Sequence, residues 1–367
     1  MVLDIASTVV ANTALFHRVV ETSFAQAATL AGNSGTTNSS QYTMGNRSKP
    51  PSGQSNLAGI SRSTPSNLMW HFDNDANTDD LMAFVLLWAG LGSRLTSVTI
   101  NDGCSHLNAA QIAFQKIFQR FGISSIRLGV GQKTILHPFP NEWKIFSDEI
   151  RNLPCLQGLK EPLIQDIPPA VEVLRESTRV GPVRIVATGP LTNIAQWIEE
   201  CPENVANVHS LVIMGGALNV AGNVAVSDNS DGSAEWNFFA DPHAAQAVLS
   251  SSIPIVLVPL DVTNDFPVTD EAIAILGNLK SVKGIFAFQL WNLVYRKFRY
   301  CLWDGVAALI ALDESLAQKE EHRLVVVTDG NAQGRLQKSP DGKACSVVKS
   351  VDRERLIEYM AALLKKD

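Results

Sequence analysis

No pair among the five cysteines has CxxC spacing: Cys104, Cys155, Cys201, Cys301 and Cys345 are scattered and odd in number. This argues against a zinc ribbon or a disulfide framework and fits a reducing, cytoplasmic compartment. Positive charge is not in excess either. Lys plus Arg total 30 against 36 Asp plus Glu, a net charge of −6, so there is no electrostatic footprint for nucleic acid or an anionic membrane. The longest apolar run, around 82–91, falls far short of a membrane span. The N-terminus has no basic cluster ahead of its apolar residues, and Asp4 stands where a signal peptide wants Lys or Arg. The scarcity of acids over 1–66 leaves organellar targeting open, beside a tail that carries no address.

The chain has 367 residues, 46% hydrophobic and 18% charged, enough apolar material for one large domain plus an extension. Residues 1–32 are rich in Ala, Val and Thr, and 33–66 are mostly Ser, Asn, Gly and Pro. The second stretch cannot bury enough surface to offset its ordering entropy. A flexible extension over 1–66 and one domain over 67–367 are expected. In that domain strands are expected at 68–73, 95–102, 126–131, 183–189, 211–215 and 253–261, with helices at 79–91 and 107–121. The strands are continuously apolar rather than alternating, which indicates a sheet covered by helices on both faces. The expected fold class is therefore α/β, with an open, mostly parallel, doubly wound sheet. Ligands in such sheets bind beyond the carboxyl ends of the strands.

The first strand ends in HFDNDANTDD, so Asp73, Asp75, Asp79 and Asp80 fall within eight residues. Acids this close repel one another unless a cation is present, and a hard, oxygen-seeking ion is the natural compensator. A helix N-terminus accounts for Asp79 and Asp80, with Asn77 or Thr78 as cap, but not for Asp73 and Asp75. An EF-hand loop fails, because its Gly and Glu positions hold Thr78 and Phe84. A DxDxT phosphatase strand fits poorly, since its fifth position holds Asn77. Later strand ends carry ATGPLTN at 187–193, MGG at 214–216 and AEWN at 234–237. Thr188-Gly-Pro makes a tight turn able to aim a backbone carbonyl into a cleft. Asn223, Glu235 and Asn237 form a polar set suited to sugar hydroxyls, and Asp304 opens a late apolar helix.

Taken in order, these segments resemble the nucleoside hydrolases: DxDxxxDD, TGPL[ST]N, MGG, AE[FW]N and an Asp opening a late helix, over residues 68 to 304. Residues 1–66 have no counterpart. The resemblance implies a nucleoside hydrolase fold, usually homodimeric, that cleaves the N-glycosidic bond of ribonucleosides with water. It implies Ca2+ held by Asp75, Asp80, the Thr188 carbonyl and Asp304. The ion would lower the pKa of a water and orient ribose hydroxyls. By the same resemblance Asp75 is the general base, while Asp79, Asn223, Glu235 and Asn237 grip the ribose above a floor of Asn77 and Met214.

Within that family the sequence is most similar to the purine-preferring members, typified by the trypanosomatid inosine–adenosine–guanosine hydrolases. Trp303 stands before the late Asp, where members of broader specificity have His. A second tryptophan, Trp143, lies in HPFPNEW at 137–143. Two indoles could stack on a purine and raise its proton affinity. Cys104, two residues beyond Asp102, replaces an acid that purine-preferring members place near the base. A purine nucleoside substrate, with inosine and guanosine ahead of adenosine, is the resulting expectation. A broad or pyrimidine-preferring hydrolase, or a ribonucleoside-binding protein without turnover, are the alternatives.

Overall fold

The computed structural model describes residues 65–160, 167–294 and 300–366, so the expected extension over 1–66 lies outside the described residues apart from Pro65 and Ser66. Residues Asn67–Asp367 form one unit. Among the described residues its nine strands are β1 (Met69–Asn74), β2 (Leu95–Ile100), β3 (Arg127–Val130), β4 (Val183–Ala187), β5 (Val208–Met214), β6 (Ile255–Val258), β7 (Ala317–Val326), β8 (Leu336–Lys338) and β9 (Lys343–Val351). They form a single sheet in the order β3-β2-β1-β4-β5-β6-β9-β7-β8. Pairing is parallel from β3 across to β9, and β7 pairs antiparallel with both β9 and β8.

The chain first builds outward from β1 to β3, then returns to place β4 on the other side of β1. The order therefore reverses between β1 and β4, and such a switch point opens a crevice at the carboxyl ends of the two strands. Phe72 and Asp73 pair in register with Val186 and Ala187, which brings the two strand ends level.

Apolar residues on both faces of β4, β5 and β6 create two cores, as their continuous apolar sequences imply. One face packs Phe72, Val98, Val186 and Val212 against helices Thr78–Leu91, Leu107–Phe121, Val282–Val294, Trp303–Leu312 and Arg353–Lys365. The other packs Ile185, Ala187, Leu211 and Ile213 against helices Ala170–Arg179, Thr192–Glu200 and Pro242–Ser250. Helix Thr78–Leu91 is enclosed nearly all round and lies against helix Trp303–Leu312.

Strands β2 and β4 stop before their expected ends because Asn101, Asp102, Thr188 and Gly189 belong to the loops that turn into the crevice. Asp261, expected at a strand end, falls in the short helix Leu260–Thr263. Strands β7 to β9 escape the sequence reading. Four of the first five residues of β7 are exposed and polar, so the apolar signal of a buried strand is missing. Among the described residues no helix is long and apolar enough to cross a membrane.

Candidate active site

Beyond β1 the chain reverses through Ala76, which holds a φ of 60° in the left-handed region although it carries a Cβ. Asn74 Oδ1 accepts from the Ala76 amide at 3.0 Å, and Ser105 Oγ donates to the Ala76 carbonyl at 2.7 Å. These contacts fix a strained residue at the site, where strain of this kind persists only if its surroundings enforce it. Asn77 then caps helix Thr78–Leu91 in a capping box, and the Asn77 amide donates to Asp80 Oδ2 at 2.9 Å. The polar sequence after β1 thus dictates a turn that presents Asp75 and Asp80 on one side.

Asp73 does not face the crevice as a free acid. Its carboxylate accepts from Thr99 Oγ1, from Asn101 Nδ2 at 2.6 Å and from Asn193 Nδ2 at 2.9 Å. It ties together the ends of β1 and β2 and the helix that follows β4. Burial pushes its carboxyl up to about 6 against the pull of those three donors.

Asp75, Asp79, Asp80 and Asp304 are all buried. Helices Thr78–Leu91 and Trp303–Leu312 lie side by side, and their first turns bring Asp79 and Asp80 to Asp304. One oxygen from each of these three lies within 4.8 Å of the others. Asp75 joins through Asp80, with which its carboxyl is in hydrogen-bond contact, and Asp79 makes the same contact with Asp304. Burial first, and then the neighbouring acids, push Asp80 and Asp304 well above the carboxylate range. Burial likewise raises Asp75, and raises Asp79 to about 6. Two carboxyl–carboxyl contacts need either shared protons or a cation between them. A buried all-oxygen donor set of this kind fits a hard divalent ion such as calcium.

Backbone surrounds the acids closely. The Cys104 amide donates to Asp75 Oδ2 at 2.9 Å, and a Cβ on Gly103 would stand 2.3 Å from that oxygen. A Cβ on Gly189 would come within 2.9 Å of the Asp75 nitrogen, so the glycine of TGPLTN lets the end of β4 approach β1. Thr188 donates from its hydroxyl to Asp80, and its carbonyl accepts from Asn237 Nδ2 at 2.9 Å. Asn237 Nδ2 also reaches the Met214 carbonyl at 3.2 Å. Glu235 caps helix Trp236–Ala240 and takes the Gly216 amide at 3.1 Å, while burial lifts its carboxyl to about 7. Asn223 is exposed on its loop, its Oδ1 accepting from the Trp236 amide at 2.9 Å.

Residues 70–358 match the family described as inosine-uridine preferring nucleoside hydrolase. The chain belongs to the nucleoside hydrolases. An inosine-uridine preferring nucleoside hydrolase from Bacillus anthracis superposes with a TM-score of 0.76 at 30% identity, over 82% of this chain and 100% of that one. A pyrimidine-specific ribonucleoside hydrolase RihA from Shewanella woodyi is 33% identical over 55% of this chain and 63% of its own length. A non-specific ribonucleoside hydrolase RihC from Escherichia coli is 45% identical over 27% of this chain and 30% of its own. The chain thus matches less than two thirds of the length of these two curated relatives.

In this nucleoside hydrolase the residues expected from sequence fall into distinct groups. Asp75, Asp80, Thr188 and Asp304 converge, and Asp79, expected on the sugar, shares their cluster. Met214, Glu235 and Asn237 line the adjoining strand ends. Trp143 packs against Phe139 and Trp236, whereas Trp303 lies edge-on to Tyr300 and donates from Nε1 to Asn264 Oδ1 at 2.9 Å. Cys104 lies buried 3.6 Å from Ser147 Oγ, its thiol pushed well up by burial and by Asp75.

Three residues next to the marked ones escape the sequence reading. Tyr300 donates its hydroxyl to Asp79 Oδ1 at 2.5 Å, Trp236 extends the aromatic group around Trp143, and Lys144 pairs with Asp102 at 2.6 Å. Each immediately adjoins, or lies three residues from, a residue the motifs already mark, and that proximity was the available signal.

Proposed function

We propose that this nucleoside hydrolase cleaves the N-glycosidic bond of purine ribonucleosides, inosine and guanosine foremost, in a calcium-dependent reaction that yields free base and ribose for purine salvage. The observation that carries the reading is the meeting of four buried carboxyls at the β1/β4 switch point, Asp75 from the turn after β1, Asp79 and Asp80 from one helix and Asp304 from another.

Asp75, Asp80, Asp304 and the Thr188 carbonyl would hold the ion, with Asp79 beside them. When bound, the ion supplies positive charge that offsets the carboxylates and acidifies a nearby water. Asp75, fixed by the Cys104 amide, takes the proton of the attacking water. Asp79, steadied by Tyr300, acts with Asn223, Glu235 and Asn237 to bind the ribose hydroxyls over Asn77 and Met214. Gripping those hydroxyls helps distort the sugar toward an oxocarbenium-like state. Trp143 and Trp303 offer indole faces to the base, and the Cys104 thiol stays protonated near it. A thiol is a poor acceptor for an exocyclic amino group, which favours 6-oxo over 6-amino purines. A cytoplasmic homodimer acting on small nucleosides completes the proposal.

A second reading, broad or pyrimidine-directed hydrolysis, draws support from the pyrimidine-specific and non-specific relatives. Base release from inosine, guanosine, adenosine and uridine, with and without a chelator, separates the two. Purines leading uridine by at least about tenfold in kcat/KM, with activity lost on chelation and restored by calcium, is the expected result. Uridine cleaved as well as inosine selects the second reading. Calorimetric inosine binding without base release would make the protein a nucleoside binder.

A further inference from the structure

Lys144 follows Trp143 on helix Asn141–Asp148, and only 8% of it is exposed. Its ammonium donates to Asp102 Oδ1 at 2.6 Å, in the loop that follows β2. The same helix is stitched to the acid cluster. Ser147 Oγ donates to Asn77 Oδ1 at 3.0 Å and lies 3.6 Å from Cys104 Sγ, and the Cys104 amide binds Asp75. The charge of Lys144 reaches Asp75, where it opposes the effect of burial on that carboxyl. A positive charge therefore follows, on the same helix, the tryptophan expected to stack on the base, and it acts on the acid expected to activate water.

An ammonium carries three N–H donors and no acceptor. Asp102 takes one, and among the described residues no other acceptor bonds to it. A buried ammonium with unspent donors is unfavourable unless another acceptor reaches it. Asp102 holds the Lys144 ammonium in place without substrate, so its remaining donors need no rearrangement to meet an acceptor that reaches them. A nucleobase brings ring nitrogens and exocyclic oxygens, all acceptors, and becomes more negative as its bond to ribose breaks.

We propose that Lys144 is a catalytic residue whose ammonium hydrogen-bonds the departing nucleobase and stabilises the charge that develops on it. This role rests on the nucleoside hydrolase reading above. In the step, the water oxygen forms a bond to C1′ of the ribose while the C1′–N bond breaks. The electron pair of that bond goes to the base nitrogen, and the proton of the water goes to Asp75. The base takes up a proton from solvent after it departs, and Lys144 keeps its own. Donors aimed in advance at developing charge act on kcat more than on binding.

The test compares two substrates that share ribose and differ in their need for help at the leaving group. Inosine expels a basic nitrogen anion, whereas 4-nitrophenyl riboside expels a stable phenolate. Lys144→Met is expected to lower kcat for inosine about 10²-fold and to leave 4-nitrophenyl riboside within about threefold. Lys144→Arg, which keeps the charge and the bond to Asp102, is expected to recover most of the inosine rate. Equal losses on both substrates, or no loss on either, overturn the proposal. If Lys144→Met does not fold, Lys144→Gln, which keeps a donor without the charge, carries the same comparison. Wild-type protein inactive on both substrates overturns the hydrolase reading itself, and this role with it.

Discussion

Asn237 donates from Nδ2 to the Thr188 carbonyl at 2.9 Å and reaches the Met214 carbonyl at 3.2 Å, so one amide links the ends of β4 and β5. That amide orients the carbonyl which the family resemblance assigns to the ion. Asn237→Asp has no N–H to offer and sets a carboxylate against two carbonyls. It is expected to lower kcat/KM by about 10- to 100-fold, in line with about 1–3 kcal/mol for stranded buried acceptors. Steady-state kinetics on inosine check this; a rate within twofold of wild type would show that the carbonyl needs no such support.

Asp75→Ala is expected to keep the fold, since it removes one of four crowded acids, and to lose about 10²–10⁴-fold in turnover. The loss should fall on kcat rather than KM, because the base acts in the transition state. Circular dichroism together with kinetics decides the matter. Turnover near wild type would place the base elsewhere.

If Asp75, Asp79, Asp80 and Asp304 hold calcium as proposed, the ion relieves their mutual repulsion and should stabilise the folded protein. Saturation at 100 times the dissociation constant contributes about 2.7 kcal/mol, enough to raise Tm by several degrees. Thermal melts in excess chelator and in millimolar calcium test this directly. Superimposable melts would leave the cluster to be held by shared protons instead.

Trp303 lies against Tyr300 and is anchored through Asn264, which presents the indole as a fixed surface. If it both stacks on the base and promotes its departure, Trp303→Ala lowers kcat and raises KM for inosine. If it only stacks, KM alone rises, by roughly the 1–3 kcal/mol of a base–aromatic contact. Unchanged parameters would remove Trp303 from the base site.

His71 is fully buried between Ser97 Oγ at 2.7 Å and Thr99 Oγ1 at 2.8 Å. Thr99 gives its hydroxyl proton to Asp73, so it can only accept from His71, which fixes a neutral ring protonated at Nε2. Burial lowers the His71 pKa from 6.5 to about 3. The unfolded chain therefore binds a proton below pH 6.5 that the folded chain refuses. The His71 contribution to stability is complete above pH 6.5 and is lost by roughly 1.4 kcal/mol per unit as pH drops toward 3. Urea unfolding of wild type and His71→Gln at pH 7, 5.5 and 4.5 isolates the effect, since the carboxylates act in both. Parallel pH profiles would contradict it.

The sequence by itself determined the fold class and marked most residues of the candidate site. Continuous apolar strands force a two-faced sheet, and helices Thr78–Leu91 and Leu107–Phe121 were legible from spacing and caps. Five short motifs in order marked the acids, the Thr188 turn and the Asn237 segment, because residues that need an unusual backbone or buried charge leave a local trace. What the tertiary structure decided is which marked residues meet. Asp73, one of four equivalent acids in the motif, is consumed by Thr99, Asn101 and Asn193, which lie far off in sequence. Asp79 joins Asp304 because two helices pack side by side, a contact that no local pattern records. Tyr300 reaches Asp79, and Lys144 reaches Asp102, through side-chain hydrogen bonds between segments far apart in sequence. Strand β7 stayed hidden because an exposed, charged strand owes its form to its pairing partner rather than to its own apolar pattern.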